Sequence, residues 1–188
     1  MKIYLSENLK VPENVLSVYT TRSQALQINK IIKNYINSDC ILTDATAGIG
    51  GNAVHFIKEF KSVNLVEKDP EMFNFLIENS QNNRSKIINK YNCSYNNIKF
   101  MLKQDIVFID PPWGKNYKDL NKIDLFLDNI NIMDIINDIY NFTRIVALKA
   151  PNNYNTDKLN NNFWDHRIYN ITKMHKNLYK LIIFNKKV

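Results

Sequence analysis

The feature that most constrains the fold is a short apolar run that leads directly into a glycine-rich turn. The run occupies residues 40–43 and ends at Asp44. The turn Gly48-Ile49-Gly50-Gly51 follows, and then a helical pattern over residues 53–60. An apolar strand, a tight turn and a helix in succession are typical of a parallel sheet that helices cover on both faces. The sequence therefore predicts an α/β protein whose first sheet strand ends in this turn.

The glycines single out two positions along the chain. Only four occur among 188 residues: three lie in this turn, and the fourth closes the segment Asp110-Pro111-Pro112-Trp113-Gly114. Glycine permits positive φ angles and a close approach of the backbone to a ligand, so both turns are candidate binding sites. A tight strand-to-helix turn also requires glycine for its own geometry, and the first turn alone does not decide between these interpretations. The second turn favours a functional one.

Strands alternate with helices along the rest of the chain. Helices are predicted at 24–37, 53–60, 70–79 and 95–102, with a helix-rich stretch over 123–142, and strands at 40–43, 63–66, 87–91, 105–109, 144–149, 167–174 and 179–184. This order predicts a three-layer αβα sandwich, Rossmann-like, with a mostly parallel seven-stranded sheet and a C-terminal antiparallel hairpin. We interpret residues 1–188 as one domain, in which residues 1–38 form an N-terminal helical arm and the first helix.

Composition is that of a globular protein with an anionic partner. Hydrophobic residues make up 45% of the chain, and no apolar run approaches the roughly 20 residues needed to cross a bilayer. We expect an intracellular monomer, cytoplasmic or nuclear (in the host's compartment if the source is viral), with no membrane partner, disulfide or metal site. The net charge of +7 favours nucleic acid as a partner, although an AT-rich genome also enriches a protein in lysine.

Polar residues follow three of the predicted strands, at the edge where open α/β sheets bind ligands. Asp44 and the glycine turn follow the first strand, Glu67 follows the second, and Asp110 follows the fourth. A carboxylate such as Glu67 can accept hydrogen bonds from both hydroxyls of a ribose; the alternative is a solvated acid paired with Lys68. The turn lacks the spaced third glycine of dinucleotide sites, which favours a ligand without pyrophosphate, such as S-adenosylmethionine (SAM).

The segment Asp110-Pro111-Pro112-Trp113 is the more specific signal. Consecutive prolines remove two N–H donors, so the carbonyls and the Asp110 carboxylate present only acceptors. Such a surface suits an exocyclic amino group, which offers N–H donors and must lose a proton after methylation. Trp113 can stack on a base; the alternative is a core tryptophan in a proline-rich turn.

Together these motifs resemble those of class I SAM-dependent methyltransferases, and more closely those of the trimethylguanosine synthase family, the RNA cap guanine-N2 methyltransferases. The resemblance covers residues 15–184. It rests on Ser17-Val18, on Asp44-Ala45 with Gly48-Ile49-Gly50-Gly51-Asn52, and on residues 105–114. It implies a methyltransferase that uses SAM to methylate the exocyclic N2 of the 7-methylguanosine cap of RNA.

The resemblance also implies three groups of site residues. SAM would be bound by Asp44, Ala45, Thr46, Gly48, Gly50, Gly51 and Asn52, with Glu67 at its ribose and Asn92 as the nearest substitute for the acid that holds the adenine amino group. The catalytic corner would be Asp110, Pro111, Pro112 and Trp113. The cap would contact Trp113, Lys115 and Tyr19. Lys115, with Lys118 as a second candidate for the cap triphosphate, can equally be a solvated charge.

Two departures from the family pattern keep other functions open. Asp110 stands where the family usually has serine, as in enzymes that methylate adenine N6 or cytosine N4, and Lys115 replaces a second glycine. One alternative is therefore a methyltransferase for adenine or another base amine in RNA or DNA. Another is a catalytically silent subunit that binds caps or RNA.

Overall fold

A computed structural model describes residues 3–4, 9–12, 20–81, 87–160 and 163–187. Within them the strands are β1 (Ile3–Tyr4), β2 (Lys10–Val11), β3 (Ile41–Asp44), β4 (Ser62–Val66), β5 (Ile87–Tyr91), β6 (Ile106–Ile109), β7 (Phe126–Leu127), β8 (Ile130–Asn131), β9 (Ile145–Ala150), β10 (Trp164–Lys173) and β11 (Lys176–Lys186). The α-helices are α1 (Arg22–Lys33), α2 (Ala53–Glu59), α3 (Pro70–Asn79), α4 (Tyr95–Ile98) and α5 (Ile132–Asp138).

Seven of these strands form one sheet in the order β10-β11-β9-β6-β3-β4-β5. The five strands from β9 to β5 are parallel, whereas β11 pairs antiparallel with both β9 and β10. From β3 the chain first builds outward through β4 and β5, and then returns to add β6 on the other side of β3. The topological switch point therefore lies between β3 and β6, and ligands of such sheets bind there, beyond the carboxyl ends of the strands.

The central strands are buried on both faces because helices cover the sheet on each side. Every residue of β4, β6 and β9 is buried. On one face Phe56 of α2 packs edge-on against Phe108 of β6, with ring centroids 5.1 Å apart. On the other face Ile135 of α5 and Trp164 belong to one core cluster. Burial of each large side chain stabilises the fold by about 1.5–3 kcal/mol.

The predicted fold class is confirmed: a mostly parallel seven-stranded sheet with helices and a C-terminal antiparallel hairpin. The helix-rich prediction for residues 123–142 is only partly right, since a β7–β8 hairpin precedes α5. Asp128 and Asn129 form its turn with φ angles of 52° and 65°, a two-residue turn whose twist matches paired strands.

The described part of the predicted N-terminal helical arm differs from that prediction. Residues 3–4 and 10–11 pair as a short antiparallel ladder, and α1 follows from Arg22. The assignment of residues 1–188 to one domain stays a prediction. None of the helices in the described ranges is long and apolar enough to cross a membrane.

Candidate active site

The glycine turn and the Asp110-Pro-Pro-Trp corner lie side by side because β3 and β6 are neighbours in the sheet. Asp44 is paired with Phe108 in the β3–β6 register, and the Ala45 N–H donates to the Phe108 carbonyl at 2.9 Å. The Asp110 N–H then donates to the Thr46 hydroxyl at 2.7 Å. A backbone-to-side-chain hydrogen bond thus joins the two predicted turns directly.

Glycine is required in the first turn for two different reasons. Gly48 and Gly50 have φ angles of +55° and +98°, a region that residues with a Cβ rarely adopt. At Gly51 the reason is close packing: a Cβ there would lie 3.0 Å from the Thr20 carbonyl oxygen. The segment that leads into α1 therefore closes directly onto the turn.

Asp44 is the most deeply buried of the ionisable residues predicted for the site. Its relative exposure is 1%, and burial raises its pKa to about 8, assisted by the negative charges of Asp110 and Glu67. Oδ1 accepts from the Thr46 N–H at 3.3 Å, whereas Oδ2 is buried with no hydrogen-bond partner among the described residues. A buried acceptor without a donor fits a ligand that brings its own, such as the ammonium group of SAM.

Glu67 is held at the end of β4 by two backbone donors. Oε2 accepts from the Gly48 N–H and Oε1 from the Asp69 N–H, each at 2.8 Å. Each oxygen keeps a lone pair for a further donor such as a ribose hydroxyl. The alternative pairing with Lys68 is not formed, since the Lys68 ammonium contacts Asp128 at 2.5 Å.

Asn92 is exposed and supports the same edge of the sheet. Its Nδ2 donates to the carbonyls of Glu67 and Lys68 at 2.9 and 3.3 Å. The predicted residues Asp44, Glu67 and Asn92 thus line the carboxyl ends of three adjacent parallel strands. Their roles toward a cofactor stay predictions, but the structure brings them together.

Trp113 is half-buried at the second turn. Its ring meets Tyr117 and Tyr179 edge-to-face, at centroid distances of 5.1 and 6.0 Å, and its Nε1 is buried without a partner among the described residues. Pro111 is buried and Pro112 is exposed. The tryptophan therefore both contributes to the core and borders the predicted corner.

The remaining predicted substrate contacts are less well placed by the structure. Lys115 and Lys118 are both exposed, and the Lys118 ammonium lies 5.7 Å from the Tyr117 ring centroid. Tyr19 lies outside the described residues. Among the residues that the structure covers, no group of three or more His, Cys, Asp or Glu side chains is arranged to hold a metal ion.

Lys149 is a site residue that the sequence analysis missed. Its ammonium group lies 2.6 Å from Asp110 Oδ2, and its side chain is only 6% exposed. It also lies over the rings of Tyr179 and Trp113, at 4.7 and 5.6 Å from their centroids. A lysine inside the buried run Ile145–Ala150 was the available signal, because a buried ammonium group requires a partner.

The ion pair sets the electrostatics of the corner. Burial raises the pKa of Asp110, and the Lys149 ammonium acts in the opposite direction. The buried Tyr179 hydroxyl has no partner in the described part of the chain, and its pKa is raised by burial and by the nearby Asp110. A carboxylate, an ammonium group and a phenol thus meet beside Trp113.

Thr20 is a second residue that sequence reasoning did not identify. Its hydroxyl oxygen accepts from Asn52 Nδ2 and from the Lys149 ammonium, each at 3.1 Å. Asn52 belongs to the glycine turn and Lys149 to the Asp110 corner, so Thr20 bridges the two. The residue is 5% exposed, and no motif in the sequence points to it.

A groove elsewhere on the molecule has no part in this arrangement. Its volume is about 640 Å³, and it lies between the segment that follows α1 and the β10–β11 hairpin, where Tyr35, Arg167 and Lys187 are among its lining residues. It contains none of the predicted site residues. The strand-end geometry, rather than cavity volume, therefore identifies the candidate site.

Comparison with known proteins gives one match in sequence and several likenesses in fold. An uncharacterized protein of Acanthamoeba polyphaga mimivirus is 34% identical over 125 residues, which are 62% of this chain and 48% of that protein. The chain thus spans about half the length of the curated relative that it matches. A candidate methyltransferase of Porphyromonas gingivalis W83 superposes with a TM-score of 0.74 at 14% identity, over 95% of this chain and 44% of that one.

A 16S rRNA N2 methyltransferase of T. thermophilus, solved with AdoMet and guanosine, superposes with a TM-score of 0.68 at 15% identity, over 92% of this chain and 45% of that one. At such identities the likeness shows a shared fold. The sequence match is more specific, because residues 38–187 match the model of one family, described as RNA cap guanine-N2 methyltransferase. The chain belongs to the RNA cap guanine-N2 methyltransferase family.

Proposed function

We propose that this protein is a SAM-dependent methyltransferase that acts on the exocyclic N2 of the 7-methylguanosine cap of RNA. One observation carries the proposal: the glycine turn adjoins the Asp110 corner, and the 2.7 Å hydrogen bond from the Asp110 N–H to the Thr46 hydroxyl joins them. The buried Asp44 Oδ2 in that turn has no partner among the described residues. A cofactor and an amine acceptor bound at these two turns would meet at the switch point of the sheet. Membership of the family supports the same assignment.

The residues at the glycine turn fit SAM. Asp44 Oδ2 would accept from its ammonium group, Glu67 would bind the ribose hydroxyls, and Asn92 would border the adenine. Gly51 lets the turn pack against the Thr20 backbone, since a Cβ there would lie 3.0 Å from the Thr20 carbonyl oxygen. When bound, SAM supplies a methyl group on a sulfonium, which is electrophilic enough for direct transfer to an amine.

The residues at the corner would orient the amine and accept its proton. Asp110 Oδ2 is occupied by Lys149, which leaves Oδ1 and the adjacent carbonyls to accept N–H bonds from the substrate. The Asp110 carboxylate would accept the proton that N2 loses, and the displaced thioether would leave as S-adenosylhomocysteine. Alignment and proximity would supply most of the rate enhancement.

Trp113 would hold the methylated guanine. A 7-methylguanine ring is cationic, and stacking on an indole adds a cation–π contribution of about 0.5–2 kcal/mol. The Lys149 ammonium already lies over the Trp113 ring, so the base would take the opposite face. Lys115 and Lys118 would meet the cap triphosphate. Capped RNA thus remains the expected partner, and a monomeric state and an intracellular location remain predictions.

A second candidate is methylation of adenine N6 or another base amine in RNA or DNA. The carboxylate of Asp110 at the acceptor corner favours it, because enzymes of that kind carry an acid at this position. The two functions differ only in the base that the corner receives.

The test is methyl transfer to a panel of acceptors. The protein is incubated with SAM and 7-methyl-GTP, GTP, capped RNA or adenine-containing oligonucleotides, and the products are identified by mass spectrometry. We expect methylation of 7-methyl-GTP and capped RNA, with little or none of GTP. Transfer to adenine without transfer to 7-methyl-GTP would overturn the cap assignment in favour of the second candidate.

Two variants connect the activity to the site. Asp110→Asn should lose most of the transfer, because the amide offers one acceptor and no charge. Asp138→Asn is the matched control, since Asp138 also pairs with a buried lysine at 2.6 Å but lies away from the corner. A protein that fails to bind S-adenosylhomocysteine would instead be a silent binding subunit.

A further inference from the structure

The positive charge of the chain is concentrated at its C-terminal end. Residues 1–165 contain 19 basic and 18 acidic residues, whereas the part after Asp165 contains six basic residues and no acid. The six are Arg167, Lys173, Lys176, Lys180, Lys186 and Lys187. A compositional bias toward lysine acts along the whole chain and does not account for the loss of acids from one segment. The segment after Asp165, which is mostly the β10–β11 hairpin, therefore accounts for six of the seven net positive charges.

One end of this hairpin projects from the edge of the sheet that carries the candidate site. Lys180 is paired with Ala150, the last residue of β9, so residues 172–177 extend beyond the carboxyl end of that strand. We refer to residues 172–177 as the hairpin tip. Its turn residues Met174 and His175 have φ angles of 49° and 64°, and Met174 is 86% exposed. The tip therefore lies at the same edge of the sheet as Asp110, beyond the carboxyl ends of the parallel strands.

Lys173 and Lys176 face each other directly across the tip. They form the last pair of the β10–β11 ladder, and both are exposed. Like charges in this arrangement destabilise a pair of strands, by a few tenths of a kcal/mol to about 1 kcal/mol. The contribution of this pair to stability is therefore unfavourable, and an anionic ligand would reverse its sign.

Hydrogen bonds fix the base of the tip to α1 and to the segment after β9. Gln27 of α1 donates to the Thr172 carbonyl at 2.9 Å and accepts from the Thr172 N–H at 3.2 Å. Asn152, in the segment after β9, donates to the Asn177 carbonyl at 3.3 Å. Tyr179, whose ring contacts that of Trp113, follows Lys176 by three residues along β11. At the rise of a strand this separation is about 10 Å.

We propose that the hairpin tip binds the phosphates of the RNA chain that continues from the nucleotide held at Trp113. The inference rests on the proposed function, because it takes the methylated nucleotide to lie at the Asp110 corner. Lys173 and Lys176 supply the charge. Lys176 lies about 10 Å along β11 from Tyr179, which contacts Trp113, so the tip lies where the next few phosphates would pass. The partner is single-stranded RNA, recognised by its backbone and not by its bases.

The experiment compares two double variants in binding to a short, fluorescently labelled, capped single-stranded RNA at several salt concentrations. Lys173→Gln/Lys176→Gln removes both charges of the tip. Lys61→Gln/Lys103→Gln is the matched control: both lysines are exposed, and they precede β4 and β6 at the opposite edge of the sheet. The two variants have the same net charge.

Each phosphate contact with a single strand contributes about 0.7 to the slope of log affinity against log salt, so the tip variant should lower the magnitude of that slope by about 1.4. The control variant should leave it close to the wild-type value. Binding of 7-methyl-GTP, which has no following nucleotides, should be the same in all three proteins. Thermal denaturation should show the tip variant to be at least as stable as the wild type.

Equal slopes for the two variants would overturn the inference, because the effect would then follow net charge and not position. That outcome is distinct from failure of the proposed function, which is measured by methyl transfer to 7-methyl-GTP. Methyl transfer to 7-methyl-GTP together with equal salt slopes would support the proposed function and exclude the tip as a phosphate-binding site. A lowered slope for the tip variant without transfer leaves an RNA-binding tip on a protein of another activity.

Discussion

The raised pKa of Asp44 leads to a specific prediction for cofactor binding. In the proposed site, Asp44 would pair with the ammonium group of SAM or S-adenosylhomocysteine and would have to be ionised, but burial raises its pKa in the free protein to about 8. At about pH 6 the carboxyl is therefore protonated, and ionising it requires about 2.7 kcal/mol, since each pH unit corresponds to 1.36 kcal/mol. We expect the affinity for S-adenosylhomocysteine to be about 100-fold weaker at that pH than at its maximum.

The sign of the dependence follows from proton release. Binding expels the Asp44 proton below its pKa, so the affinity rises about tenfold per pH unit as the pH increases toward 8. Above that pH Asp44 is already ionised in the free protein, so the gain in affinity ends. The curve therefore rises to a plateau above about pH 8, whereas an aspartate with an ordinary pKa would give a flat curve between about pH 6 and 8.

Isothermal titration calorimetry measures both the affinity and the number of protons released. The matched ligand is 5′-methylthioadenosine, which keeps the adenosine but has no ammonium group, so its affinity should not rise with pH. Asp44→Asn should flatten the curve for S-adenosylhomocysteine. An affinity for S-adenosylhomocysteine that is flat from about pH 6 to 7.5 in the wild type would refute the reasoning, provided that the site still binds methylthioadenosine.

The same substitution has a predictable effect on stability. Because the folded-state pKa of Asp44 lies above its unfolded value, the wild-type protein loses stability as the pH rises from about 4 through 8. Asp44→Asn removes that loss. Without ligand, the variant should be more stable than the wild type near neutral pH, and the difference should vanish in acid. Chemical denaturation at several pH values measures it.

Two further predictions concern the contacts between the turns. Lys149→Met should shift the acid limb of the pH–rate profile to higher pH, because the pKa of Asp110 rises further without its cation. Lys99→Met is the control, since it also breaks a 2.6 Å ion pair of a lysine that is 6% exposed. It should reduce stability without moving the profile. Gly51→Ala should lower the free energy of unfolding by about 1–3 kcal/mol, because the new Cβ meets the Thr20 backbone, which cannot yield as a side chain would. A normal affinity for S-adenosylhomocysteine and an unchanged midpoint in denaturant would count against that account.

The sequence was sufficient to place the two turns of the candidate site at the same edge of the sheet. Asp44 and Asp110 each follow an apolar run, and the carboxyl ends of parallel strands meet at one edge of a sheet. The glycines at the first turn were informative because backbone geometry is a local property. Positive φ angles at Gly48 and Gly50 are therefore readable from residue type.

The contacts that depend on register could not be predicted in this way. Lys149 pairs with Asp110 across 39 positions of sequence, and it contacts Thr20 across 129. Such partners are fixed only when the order of strands and the packing of the chain before α1 are known. The β7–β8 hairpin was missed for a related reason. Its turn, Asp128-Asn129, has no glycine, and Asp128 forms an ion pair with Lys68 of the distant β4–α3 loop.

The two bonds to Thr20 give its hydroxyl a thermodynamic role. A hydroxyl oxygen has two lone pairs, and here one is taken by Asn52 and the other by Lys149. In the proposed site, a ligand that restrained Asn52 would thereby act on the ammonium group that orients the Asp110 carboxylate. By reciprocity, a substrate that fixed the carboxylate would change the affinity for the cofactor by the same free energy. A single side chain at the entrance to α1 would then couple the two proposed subsites.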